Sequence, residues 1–240
     1  MTLIAGIILP NGVLMMSDTL VKQNGEDLFE YGRKITRITP TTLLASSGTG
    51  YIWGTAQALR MALYASEDYM TIADKREIIL SKYKQMHEHY LTTDDTRIFG
   101  HFLIAEYNRT NSTYTLLTNK SEDPRCIDKL TEYNEIKDIA VNGAIPPITD
   151  AVKSNIQELL STYSSNDLNE PFFHRKISKV CREIFKYYSY QNTSFNDKLH
   201  CVYLTTRNGL PYVDNYLCDS DGKCYDVDTE REDAEVIYKK

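Results

Sequence analysis

The chain has 240 residues, 42% of them hydrophobic and 25% charged, with a formal net charge of −6. That balance excludes wholesale disorder, and the acidic surplus leaves no charge to neutralise phosphates, so nucleic acid is not expected as a partner. No apolar run approaches the ~18 residues that a membrane-spanning helix needs, and no membrane association is expected.

In chain order, residues 2–9 are apolar and β-rich, Pro10-Asn11-Gly12 interrupts them, and 13–16 are apolar again. Asn-Gly between two such runs predicts a hairpin whose turn residues both have positive φ. Strands are expected at 35–38 and 42–46. The period then becomes helical: Ile52, Ala56, Leu59 and Leu63 share one face, and Ile79, Tyr83, Met86 and Tyr90 share another. Strands return at 98–107, 113–118 and 136–141.

A helix opening near Pro146 and Pro147 carries Ile148, Val152, Ile156 and Leu159 on one face. The next has the cleanest stripe: Phe173, Ile177, Val180, Cys181, Ile184, Phe185 and Tyr188. A second Asn-Gly hairpin joins strands 199–205 and 210–217. The acidic segment 226–240 has little to bury apart from Val236, Ile237 and Tyr238.

Strands, two helices, strands, two helices, strands: this order does not suit alternating βαβ units. It predicts an α+β fold, a four-layer αββα sandwich of two antiparallel sheets with a helix pair on each outer face. No Pro-, Gly- or Ser-rich linker divides the chain, so residues 1–240 read as one domain. Five cysteines, odd in number and without CxxC, argue against a disulfide framework or zinc ribbon; Cys181 and Cys201 fall in apolar patterns that read as core. The opening residues lack a basic region and cleavage site, so a cytoplasmic protein is expected.

The chemistry centres on Thr2. Once Met1 is removed, Thr2 carries a hydroxyl nucleophile and a free α-amine on one residue. That amine has a reference pKa of about 7.7–8.0, against about 10.4 for lysine, so it is a base already sited beside the nucleophile. The surrounding segments are Thr2-Leu3-Ile4-Ala5-Gly6, Gly12-Val13-Leu14-Met15-Met16-Ser17-Asp18-Thr19, Lys34-Ile35-Thr36-Arg37-Ile38 and Ala45-Ser46-Ser47-Gly48. In order, residue type and spacing they resemble the opening of a proteasome β-type subunit, an N-terminal-nucleophile hydrolase. The likeness covers residues 2–65 closely and the remainder only in architecture.

The resemblance implies that Thr2 attacks a carbonyl, that Lys34 held by Asp18 activates it, and that the Gly48 N–H serves the oxyanion. It implies a substrate pocket lined by Val21, Thr36, Ser46, Gly50 and Gly54, roomy and uncharged although Lys22 lies close in sequence. It also implies supporting residues that depart from the family's pattern. Asn142 stands in place of a serine, and Thr193 and Asn196 in place of an aspartate and a serine; Asp197 could supply the carboxylate if the loop shifts by one residue. The expected activity is that of a threonine peptidase acting on peptide or protein through an acyl-enzyme. Neither metal nor organic cofactor is expected. The expected partners are a homo-oligomeric ring and an ATP-driven unfoldase that feeds it. Two alternatives stay open: a non-catalytic scaffold subunit, and a peptide ligase that resolves the same acyl-enzyme with an amine.

Other motifs carry less. His87-Glu88-His89 lies on a predicted exposed helix where i and i+2 point apart, against joint metal ligation. Asp219-Ser220-Asp221-Gly222 fits an Asp-Gly hairpin turn better than a calcium loop. No Walker loop or GxGxxG supports nucleotide binding.

Overall fold

The computed structural model describes residues 2–23, 25–93, 100–119 and 129–240. Met1, Cys126 and the first two residues of the strand expected at 98–107 lie outside these. The fold is α+β with antiparallel sheets. Strands β1 (Ile4–Leu9) and β2 (Gly12–Asp18) form the first hairpin, and β3 (Val21–Gln23) with β4 (Glu26–Phe29) forms a small separate ribbon that the sequence pattern did not indicate. Strands β5 (Ile35–Thr39) and β6 (Thr42–Gly48) lead into helices α1 (Gly50–Leu63) and α2 (Ile72–Thr93). After β7 (Gly100–Asn108), β8 (Thr113–Thr118), β9 (Thr131–Tyr133) and β10 (Ile139–Asn142) come helices α3 (Pro146–Ser161), α4 (Ser165–Leu168) and α5 (Phe173–Ser189). The chain closes with β11 (Leu199–Arg207), β12 (Leu210–Cys218) and β13 (Cys224–Asp226).

One sheet runs β10-β1-β2-β11-β12-β13 and the other β5-β6-β7-β8-β9, every pairing antiparallel. Strands β1 and β2 are buried along their whole length, which explains their continuous apolar runs. Their alternate residues enter different cores. Ala5, Ile7, Leu14 and Met16 pack with Val152 and Ile156 of α3 and Ile177 and Phe185 of α5. Ile4, Ile8, Val13 and Met15 pack with Leu43, Ala45, Leu103 and Leu116 of the other sheet. Leu44, Phe102, Ile104 and Leu117 pack with Ile52 and Leu59 of α1 and Ile79 and Tyr83 of α2.

Several local expectations change. The first turn is Pro10-Asn11, with Gly12 already paired to Leu9, and neither Asn11 nor Gly12 has positive φ. Proline holds φ near −65°, which forbids the expected turn when it takes the first central position. At the second hairpin Asn208 (φ 53°) and Gly209 (φ 75°) both adopt left-handed backbone, as Asn-Gly predicts. On α5 the buried face is rotated: Val180 is exposed, while His174, Ser178 and Arg182 are buried beside Ile177, Cys181 and Phe185. The cause is polar. Ser178 Oγ and Tyr216 Oη lie 2.7 Å apart, so the helix turns this polar edge toward the sheet.

On α3, Leu160 rather than Leu159 is fully buried. His87 is buried and His89 exposed, so this stretch of α2 is not wholly solvent-facing as expected. Cys181 and Cys201 are core residues, and Cys218 and Cys224 are register partners with their sulfurs in contact. Residues 219–223 form the turn between β12 and β13, with Gly222 at φ 78°. The acidic segment returns to the body of the protein: Val236 bridges Gly32, and Ile237 is buried with Leu217 and Val227. No helix of the described residues is long and apolar enough to cross a membrane.

Candidate active site

The chain enters β1 through two reciprocal bonds. The Asp18 amide donates to the Leu3 carbonyl (3.0 Å), and the Leu3 amide donates to Asp18 Oδ1 (2.9 Å). Thr2, immediately before, is buried. Its carbonyl rests against Gly143, where φ is +108° and a Cβ would lie 2.1 Å from the Thr2 oxygen. Only glycine fits there, because both the backbone conformation and the space exclude a side chain.

Asp18 ends β2 and is wholly buried. Its Oδ2 accepts from the Leu20 amide (3.1 Å) and from Lys34 Nζ (2.7 Å). Lys34 also donates to the Leu20 carbonyl (2.7 Å), which leaves one ammonium proton for the cavity that the side chain lines. Burial lowers the Lys34 pKa and raises that of Asp18, and each charge opposes the other's shift. Lys34 is therefore a cation fixed in place, and its burial makes it more ready to give up its proton than an exposed lysine.

Gly48 ends β6. The Ser46 amide donates to the Lys34 carbonyl (2.9 Å), on the β5 side of the strand. The Gly48 N–H lies past the start of β5 at Ile35, on a glycine with φ +134° that lines the same cavity as Lys34. Helix α1 begins at Gly50, so its positive end lies beside this donor.

Thr2, Lys34 and Gly48 line one cavity of about 420 Å³. Of the expected pocket positions, Val21, Ser46 and Gly50 line it and Thr36 and Gly54 do not. Thr36 is buried and accepts from Gln57 Nε2 (3.1 Å), while Gly54 is exposed on α1. The five positions carry no charge, but the cavity as a whole does: Lys22, Arg33 and Glu235 also line it. Arg33 and Glu235 escaped the sequence reading because the segment around 235 gives no local sign that it folds back to residue 33.

Among the described residues, the hydrogen bonds of the supporting side chains go to groups other than Thr2. Asn142 donates to the Phe102 carbonyl (3.3 Å) and to Thr118 Oγ1, so its amide serves the second sheet. Asn196 accepts from the Thr19 amide (3.0 Å), one residue from Asp18. Thr193 is exposed. Asp197 accepts from Arg182 (3.1 Å) and Ser220 (2.8 Å), which holds its carboxylate elsewhere. Among the described residues no group of three or more His, Cys, Asp or Glu side chains is arranged to hold a metal ion.

Chemically, the residues that line this one cavity bring a hydroxyl, a fixed cation and a backbone donor together. No protein-family model and no curated protein sequence matches this chain.

Proposed function

We propose that this protein is an amide hydrolase of the proteasome β type, with a four-layer αββα architecture and Thr2 as its nucleophile once Met1 is removed. The observation that carries the reading is the shared cavity of Thr2, Lys34 and Gly48, with Lys34 anchored to Asp18. The Thr2 amine takes the hydroxyl proton as Oγ attacks a peptide carbonyl. Lys34 lowers the pKa of both groups by its charge. The Gly48 N–H stabilises the developing oxyanion, a contribution of about 2.7–4 kcal/mol for a preorganised donor. The C–N bond breaks, the leaving amine takes the proton, and water hydrolyses the ester on Thr2. A cytoplasmic ring of copies fed by an unfoldase is part of the same proposal. The three apolar clusters, and helix pairs beyond opposite sheet faces, support the architecture.

A second reading is a silent scaffold subunit. It is favoured by Asn142 turning to the second sheet and by Asp197 being engaged with Arg182 and Ser220. Intact-mass spectrometry after treatment with a peptide epoxyketone separates the two. Loss of Met1 and a single adduct on Thr2, absent from Thr2→Ala, are expected. Active protein that keeps Met1 refutes the mechanism, because an amide nitrogen at Thr2 cannot act as the base. A Thr2 that takes up no adduct favours the scaffold. The ligase alternative gives the same adduct and differs only in forming a joined product when a second peptide is supplied.

A further inference from the structure

Arg33 is 3% exposed, yet it lines the cavity that holds Thr2. Its Nε donates to the Ala234 carbonyl (3.1 Å) and its Nη2 to the Arg231 carbonyl (3.4 Å). Both acceptors are backbone groups of the returning segment. Among the described residues no hydrogen bond engages Nη1 and no carboxylate comes within ion-pair distance of the guanidinium. A guanidinium offers five N–H donors, of which two are engaged here; Glu232, Asp233 and Asp228 act on its charge from a distance, and none of them pairs with it directly. Trp53 Nε1, on the same cavity, is a buried donor with no acceptor among the described residues.

The other charges at the cavity are accounted for. Lys34 is paired with Asp18, and Lys22 with Asp27 (2.9 Å) across the small ribbon. Glu232, near Arg33, is paired with Arg60 (3.1 Å). Glu235 lines the cavity from an exposed position and makes no ion pair with Arg33 among the described residues, so its carboxylate opposes an incoming acidic group. What the cavity lacks is an acceptor for Arg33. Leu20, Val21 and Ile52 supply apolar wall for the stem of a side chain.

We infer that this cavity is a specificity pocket for an acidic side chain, with Arg33 reading the carboxylate of a glutamate or aspartate whose carbonyl is presented to Thr2. The inference rests on the proposed hydrolase reading for its orientation but not for the binding itself. It replaces the uncharged pocket expected from the five aligned positions. The segment at 231–234 is part of the device, since its carbonyls hold the guanidinium against the cavity.

The test uses two neutral-ended peptides, acetyl-Ala-Ala-Glu-amide and acetyl-Ala-Ala-Gln-amide, which differ in charge and not in size. Binding is read from the fluorescence of Trp53, the chain's single tryptophan, and cleavage is followed separately on longer peptides with the same residues. The Glu peptide is expected to bind at least tenfold more tightly than the Gln peptide. Arg33→Gln should reduce that ratio below threefold. Glu235→Gln, at an exposed site, should raise it by removing a repelling carboxylate. Equal binding of the two peptides by the wild type, or a ratio that either variant leaves unchanged, overturns the inference. Tight binding of the Glu peptide without cleavage or Thr2 labelling overturns the hydrolase reading and leaves the pocket standing.

Discussion

Replacing Lys34 by methionine tests the buried ion pair beneath the candidate nucleophile. On sequence alone Lys34 could be lost without cost to the fold, since its role is electrostatic. The structure changes that. Asp18 is 0% exposed, so losing Lys34 strands a carboxylate with no water to receive it. Breaking such a pair costs about 3–5 kcal/mol. Asp18 keeps the Leu3 and Leu20 amides as donors, which puts the expected loss at the lower end, about 3 kcal/mol. Removing both charges in Asp18→Asn/Lys34→Met should cost at least about 2 kcal/mol less than the sum of the single changes.

Urea unfolding followed by tryptophan fluorescence measures all four corners of the cycle. The pH dependence has a definite sign. Without Lys34 the Asp18 pKa rises further above its unfolded value, so the penalty is full at high pH and shrinks as pH falls through the folded value. All three variants should also lose turnover. Single changes costing under about 1 kcal/mol, or an additive cycle, would refute the reasoning.

Two further outcomes follow from buried groups. His200 is fully buried, and its Nε2 meets Asn215 Oδ1 at 2.9 Å; burial, then the charge of Arg33, takes its pKa down to about 3. Its contribution to stability is present above the unfolded value near 6.5 and is lost as pH falls toward 3, by up to about 1.4 kcal/mol per pH unit. Urea midpoints at pH 7, 6 and 5 should show this slope, and His200→Gln should flatten it; an unchanged slope assigns the acid sensitivity to other groups. Gly143→Ala should cost about 1–3 kcal/mol in urea unfolding and displace Thr2, because its Cβ has no room beside the Thr2 carbonyl. Epoxyketone labelling of that variant at the wild-type rate would show that the close approach is dispensable.

What the sequence made legible has two sources. The hairpins and the two helix pairs depend on short-range pattern, whereas the grouping of Thr2, Asp18, Lys34 and Gly48 was implied by the resemblance. The Pro10-Asn11 turn was misread because proline's fixed φ overrode the Asn-Gly signal. The buried face of α5 was misread because Ser178 and Arg182 are polar, and apolar periodicity cannot register a polar group that finds a partner. Ribbon β3–β4 is only three and four residues long, too short for its alternation to stand out. Thr36 and Gly54 were implied by the resemblance alone, and neither lines the cavity. Arg33 and Glu235 were missed for a different reason, since a contact between segments so far apart leaves no local trace.

That distance also orders events in time. The Arg33–Ala234 bond joins residues 201 apart in the chain. At ~5–20 residues per second of synthesis, Thr2, Asp18, Lys34 and Gly48 are all made roughly 10–40 s before the carbonyls that hold Arg33. Through that interval every residue that lines the cavity except Glu235 has been made, and what is still missing is the segment whose carbonyls hold Arg33. On the proposed reading, a nascent chain therefore carries the nucleophile before the group that selects its substrate is held in place, and Arg33 is fixed only when the last segment folds back.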